Sequence, residues 1–232
     1  MAGLSKSISL SLRALSRLLA YPGAELRLHL PELRAALHSE NAVGQTRLAE
    51  LDALIESLSA ADGLDAEAAY VELFDRGRST SLHLFEHVHG DSRERGPAMI
   101  DLAQTYEKAG LYLAPDELPD YLPAVLEFAS TQPPREARAF LGEMAHILNA
   151  LFTALQQRRS AYASAIGALL ELAGEKARAV NIAADEALDD TWIEPQVFDG
   201  CSSGGQRRPG LPESQPQPIH IVRKDAAKGA LA

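Results

Sequence analysis

Apolar residues recur at three- and four-residue intervals along most of the chain, and the stripes predict helices rather than strands. Leu4, Ile8, Leu12, Leu15 and Leu19 place a first amphipathic helix over about residues 5–20, ending at the "YPG" of residues 21–23. Short helices are predicted over "AELRLHL" and "PELRAALHS". Pro31 serves as the first helical residue of the second, where its missing N–H would have had no partner. Leu48, Leu51, Ile55 and Leu58 mark a helix over residues 46–58. In "LDAEAAYVELFD" two registers fit: Leu64, Ala68, Val71 and Phe74, or Tyr70 with Phe74.

Met99, Leu102 and Tyr106 predict another helix, with Gly110 as its stop. The longest stripe runs through Phe140, Met144, Ile147, Leu148, Leu151, Phe152 and Leu155, and predicts one continuous helix over residues 134–159. Helices over 160–172 and 175–188 follow in kind. Strand alternation nowhere exceeds three or four residues, and no internal repeat has a fixed period. The expected fold is all-α: a single-domain helical bundle over residues 1–199. From Gly200 the chain turns to "GCSSGGQRRPGLPESQPQP", too poor in apolar residues to order itself, so residues 200–232 are expected to form a disordered tail.

Composition narrows the function. Hydrophobic residues make up 46% and charged residues 23%, enough for one core in a chain of 232 residues. The net charge of −10 belongs to the body, because residues 191–232 hold 4 acids against 5 bases. An acidic body repels phosphate backbones and attracts basic peptides, so nucleic acid is not an expected partner. Cys201 is the single cysteine, which permits neither an internal disulfide nor a thiolate cluster and points to a reducing compartment. No apolar run approaches the length of a membrane span. The first 24 residues lack acids and are Ser-rich, as in a transit peptide, but their helical spacing reads as the first helix of the domain. A cytoplasmic location is expected.

The sharpest candidate for chemistry is H-x-x-E-H at His83, Glu86 and His87. In inverted zinc peptidases two such histidines hold zinc and the glutamate activates water. On one helix the three side chains would share a face, with Leu82, Leu84, Phe85 and Val88 opposite. Zinc would still require a third protein ligand and a water. The polar face of an amphipathic helix accounts for the same spacing without chemistry, so a zinc-dependent hydrolase stands as the alternative reading. Nothing else in the chain resembles a catalytic motif: there is no phosphate loop with its lysine, and no G-x-S-x-G elbow.

The segments around the histidines are more distinctive. "YVELFDRGRSTSLHLFEHVHGDSRERGPAM" (Tyr70 to Met99) and "ELPDYLPAVLEFAS" (Glu117 to Ser130), with "LSRLLAYPG" and "DTWIEPQVF", closely resemble the NarJ family. These are the delta-subunit assembly chaperones of respiratory nitrate reductase, within the wider TorD-like group. The resemblance covers about residues 12–198. It implies a non-enzymatic, all-helical, cytoplasmic chaperone without a cofactor or metal of its own. The implied partner is the N-terminal segment of the catalytic α subunit, held while molybdenum cofactor and iron–sulfur centres are installed and before membrane docking. A homodimer is left open.

Under that resemblance a basic, apolar client helix would lie in a groove with apolar lining and acidic edges. Tyr70, Phe74 and Phe85 are expected to supply the lining, and Glu72, Asp75, Glu86, Asp91, Glu117 and Asp120 the edges, with His83 and His87 beside them as groove or surface residues. "ELPDYLP" reads as a hinge or groove rim, or as a plain connection: Pro119 and Pro123 stiffen it, and Asp120 is expected to cap a helix starting near Tyr121. Arg76, Arg78, Arg93 and Arg95 are expected to pair with these acids. The next helix is expected to begin either at Asp91, boxed with Glu94, or at Pro97.

Overall fold

Helix α1, Ser9–Leu19, has no capping side chain of its own. Its free N–H groups are met by Glu40, whose carboxylate accepts from Leu10 N at 3.2 Å and Ser11 N at 2.7 Å. Ser7 Oγ donates to the same carboxylate at 2.7 Å. A negative charge at a helix N-terminus both satisfies orphan donors and opposes the helix dipole favourably. Glu40 ends α3, Leu30–Glu40, so this contact locks the first long helix to the third element. Between them lies the short α2, Ala24–Leu28. Pro31 occupies the second position of α3 rather than the first, still within the turn that tolerates it.

In this computed structural model the described residues are 7–90, 92–115 and 117–181. They continue as α4, Gln45–Ala60; α5, Gly63–Phe74; a single 3-10 turn, Arg78–Thr80; α6, Leu84–Val88; and α7, Arg95–Lys108. Then come α8, Leu122–Thr131; α9, Pro134–Glu143; α10, Ala145–Gln157; and α11, Ala163–Ala173. The fold is an all-α bundle, and no strand occurs among the described residues. All of them fall within one compact unit, Met1–Asp185. The predicted boundary at Gly200 and the tail lie outside the described residues.

α11 is buried on nearly all sides because its sequence, "ASAIGALLELA", carries one charge. It packs against α10, α9, α4 and α1, while α1 lies along α8. Small residues let α1 and α8 approach closely. Ser16 Oγ donates to Pro123 O at 2.9 Å, and Ser9 Oγ donates to Ser130 O at 2.6 Å. Leu12, Leu15, Leu18 and Leu19 are fully buried in this seam, each worth about 1.5–3 kcal/mol.

Several predicted elements differ. The continuous helix over 134–159 is broken at Met144, whose φ of −92° and ψ of 2° end α9 and start α10. The apolar stripe continues through the break because Leu141 and Leu148 both reach the core; hydrophobic spacing does not report a one-residue turn. Nor does a helix continue from Glu175. Gly174, at φ +83°, closes α11 in a Schellman motif, with Glu175 N donating to Leu170 O at 2.8 Å and Gly174 N to Glu171 O at 3.0 Å. The chain then runs extended along α10, where Asn149 Oδ1 accepts from Arg178 N at 2.8 Å and Thr153 Oγ1 from Val180 N at 3.1 Å. The rest of that predicted helix, 182–188, lies outside the described residues.

In α5 the second register holds: Tyr70 and Phe74 are buried, whereas Leu64 is 77% exposed. Asp62 caps this helix through Leu64 N at 3.1 Å. α7 begins at Arg95, between the two predicted starts, and Pro97 sits in its first turn where no N–H partner is lost. Asp91 lies outside the described residues, and Glu94 precedes α7 without a side-chain cap bond.

Candidate functional site

The two distinctive segments meet at one antiparallel bridge, His83 against Tyr121. Leu84 N donates to Asp120 O at 3.0 Å, and Leu122 N donates to Leu82 O at 2.8 Å. This pairs the residues entering α6 with those entering α8. Asp120 is fully buried at the junction. Its Oδ2 accepts the Phe85 backbone N–H at 3.1 Å, and its Oδ1 lies 3.4 Å from His83 Nδ1. Asp120 therefore caps α6, across the fold, and not α8. The expected cap on α8 is corrected: Tyr121 holds that position without a side-chain bond, and Pro123 in the first turn leaves fewer donors to satisfy.

Around this carboxylate stand two further polar groups. Arg95 Nη2 lies 3.4 Å from Glu86 Oε1 and 4.0 Å from Asp120 Oδ2. Tyr106 Oη donates to Pro119 O at 2.8 Å. The Asp120 hydrogen bond raises the His83 pKa, against the opposing effect of burial. Burial raises that of Tyr121 although the Tyr70 hydroxyl, 3.2 Å away, works the other way. Beside the junction a shallow recess of about 610 Å³ is lined by His83, Ala114, Glu117, Leu118 and Tyr121. Leu118 is 44% exposed there, and Tyr112, on the same loop, 81%.

The candidate residues thus divide. Glu86, Glu117, Pro119, Asp120 and Tyr121 converge on the junction with His83. Phe85 is half-buried and meets the His89 ring edge-on at 5.4 Å. Tyr70 and Phe74 are core residues, in an aromatic cluster with Tyr162 at 6.2 and 5.0 Å. Tyr70 reaches the junction only through its hydroxyl, which also donates to Leu19 O at 2.8 Å. Asp75 is exposed at the end of α5, and Asp91 lies outside the described residues. Arg76 pairs with Glu72 at 2.9 Å and Arg95 with Glu86, as the charge pattern suggests. Tyr106, Leu118 and Tyr112 were not singled out as site residues. Tyr106 carried a signal as the end of an apolar stripe, while Leu118 and Tyr112 are apolar residues in a proline-bounded loop.

The H-x-x-E-H spacing does not make a shared helical face. α6 is five residues long and starts after His83, whose φ of −87° and ψ of 103° are extended. His83 turns to Asp120, while His87 Nε2 bonds Ser81 O at 2.8 Å. Among the described residues no three His, Cys, Asp or Glu side chains converge as a metal site. The zinc-hydrolase reading is not supported.

Comparison with known proteins agrees with the two segments. Residues 24–167 match the family described as nitrate reductase delta subunit. The chain is 46% identical over 192 residues to the nitrate reductase molybdenum cofactor assembly chaperone NarJ of Escherichia coli (strain K12), covering 78% of this chain and 81% of that protein. It is 33% identical over 160 residues to the probable chaperone of the same name from Bacillus subtilis (strain 168), covering 68% and 84%. A third relative, the nitrate reductase-like protein NarX of Mycobacterium tuberculosis (strain ATCC 25618 / H37Rv), is 40% identical over 116 residues, half of this chain but 18% of that protein. The first two of these relatives are named as assembly chaperones, and the chain belongs to the nitrate reductase delta subunit family.

Proposed function

We propose that this chain is a system-specific chaperone that binds the N-terminal segment of the catalytic α subunit of a respiratory nitrate reductase. In this reading it acts in the cytoplasm and keeps the subunit competent for molybdenum cofactor and iron–sulfur insertion until it docks at the membrane. The observation that supports it best is the recess at the His83–Tyr121 bridge, where an exposed leucine and half-buried Tyr121 stand beside Glu117, with Glu86 close by. Apolar contact with acidic groups around it suits a basic, amphipathic helix. No helix among the described residues is long and apolar enough to cross a membrane. The chain itself needs neither cofactor nor metal for this role.

The test is calorimetric titration of the full chain with a synthetic peptide copying the N-terminus of its own nitrate reductase α subunit. A saturable one-to-one isotherm, absent with a scrambled peptide and weakening as salt rises, is the expected result. No heat at tens of micromolar peptide would overturn the assignment of that segment as client.

A further inference from the structure

Among the described residues α7 packs only lightly against the other elements. Only Tyr106 along it is buried, and Ile100 is 59% exposed. Two attachments stand out. At its C-terminal end the Tyr106 ring lies 4.7 Å from that of Phe128, and its hydroxyl bonds Pro119 O. At its first residue the Arg95 guanidinium reaches Glu86 and Asp120. Both attachments reach neighbouring residues, Pro119 and Asp120, which stand in sequence between the recess-lining Leu118 and Tyr121. α7 is also bracketed by Gly90 at φ +51° and Gly110 at φ +79°, each with open space around it. Such positions change backbone angles at small steric cost.

A carboxylate pair that already holds one guanidinium is a ready site for another cation. We propose that Arg95 is an internal stand-in for a basic side chain of the client. In the free chain it occupies Glu86 and Asp120; an arginine or lysine entering beside the recess displaces it and lets α7 swing away about Gly90 and Gly110. This rests on the peptide-binding reading above. The displaced arm leaves Asp120 paired, because the incoming cation replaces Arg95 while the Phe85 N–H and His83 stay in place. Displacement fits a helix that leaves Ile100 exposed and buries one side chain fully. It also makes Arg95 a competitor, so the apparent affinity for client is reduced by the fraction of chains in which the latch is closed.

The competitor role has a sign that a contact or structural role does not share. The full chain, Arg95→Ala and Tyr106→Phe are titrated with the α-subunit peptide and with a version in which its lysines and arginines are glutamines. Hydrogen exchange is followed across residues 95–108, and thermal melts confirm folding. Arg95→Ala is expected to bind the basic peptide about three- to tenfold more tightly than the wild type. Tyr106→Phe should shift affinity the same way, and both variants should speed α7 exchange. Weaker binding by a folded Arg95→Ala, or α7 amides exchanging as slowly as those of α11 while peptide is bound, would overturn the displacement and leave the client reading standing. Equal binding of the glutamine peptide to the wild type would overturn it too. If the wild type binds neither peptide, the client reading falls and takes the displacement with it.

Discussion

The Asp120 carboxylate accepts the Phe85 backbone N–H at 3.1 Å, across 35 residues of sequence. A side chain buried without exposure, in a segment between two prolines, thereby fixes the start of a helix that its own segment does not contain. The same residue's carbonyl accepts Leu84 N, so side chain and backbone act together. Family motif and motif are joined at this point, and the recess forms beside the join.

Asp120→Ala should cost about 2–4 kcal/mol of stability, because the Phe85 N–H and His83 lose a buried charged acceptor. Asp120→Asn keeps an acceptor and should cost less. Urea unfolding of both variants measures this, and a loss no larger than that of an exposed aspartate such as Asp101 would refute the capping role.

His83 carries a pH dependence. Its folded pKa is raised, first by the Asp120 hydrogen bond and then by Asp120 and Glu86 charge, with burial and Arg95 opposing. A group whose folded pKa exceeds its unfolded value of about 6.5 stabilises fully below that value, and the contribution fades as pH rises through the folded pKa. The stability gap between wild type and His83→Asn should therefore narrow on going from pH 6 towards pH 8 or so. Titration of the His83 ring by NMR gives the folded pKa directly; a value at or below that of a free histidine would contradict the assignment.

Glu40 behaves with the opposite sign. Burial works to raise its pKa, but the hydrogen bonds from Ser11, Ser7 and Leu10 outweigh it and the net shift is downward. Its capping of α1 is thus fully present above the ordinary glutamate range and lost as pH falls through the lower folded value. Glu40→Ala should cost about 1–2 kcal/mol near neutral pH, as for other lost N-caps. That difference should shrink in acid, and a gap that stays constant down to about pH 3 would rule out a carboxylate cap.

Two aromatic residues assigned to the same groove should separate experimentally. Phe74 is buried in the Tyr70 and Tyr162 cluster, so Phe74→Ala should destabilise by about 3–5 kcal/mol. Phe85 is half-buried on the short α6, and Phe85→Ala should leave most of the stability and weaken peptide capture. A folded Phe85→Ala that binds peptide normally would remove Phe85 from the client surface.

Much of the fold was legible because helices here bury one face against a common core. The stripes of α1 and α4 place their leucines where they lie in the structure, and the Gly110 stop follows from its left-handed conformation. Spacing failed where a helix ends without changing its apolar period, as at Met144, and just after Gly174, where Ala177, Ala179 and Val180 imitate a helix that the Schellman turn has closed. The site was partly legible. The motifs named two segments that the fold brings together, but Tyr70 and Phe74 have the composition of a groove lining and the burial of a core. Gly77, between α5 and the 3-10 turn, is buried beside Arg158, a neighbour that local sequence does not reveal.

By itself the sequence determined the all-α class, the acidic body and the family, because hydrophobic period, charge and motif identity are local properties of a chain. Tertiary structure alone decided that Asp120 caps α6, that His83 and His87 face different partners, that Glu40 starts α1, and that Tyr106 and Arg95 of α7 reach Pro119 and Glu86. The Asp120, His83 and Glu40 contacts join residues about 30 or more positions apart, and those of His87 to Ser81 and Arg95 to Glu86 join different elements. Their existence depends on where the packed core carries the backbone, and no spacing rule along the chain encodes that.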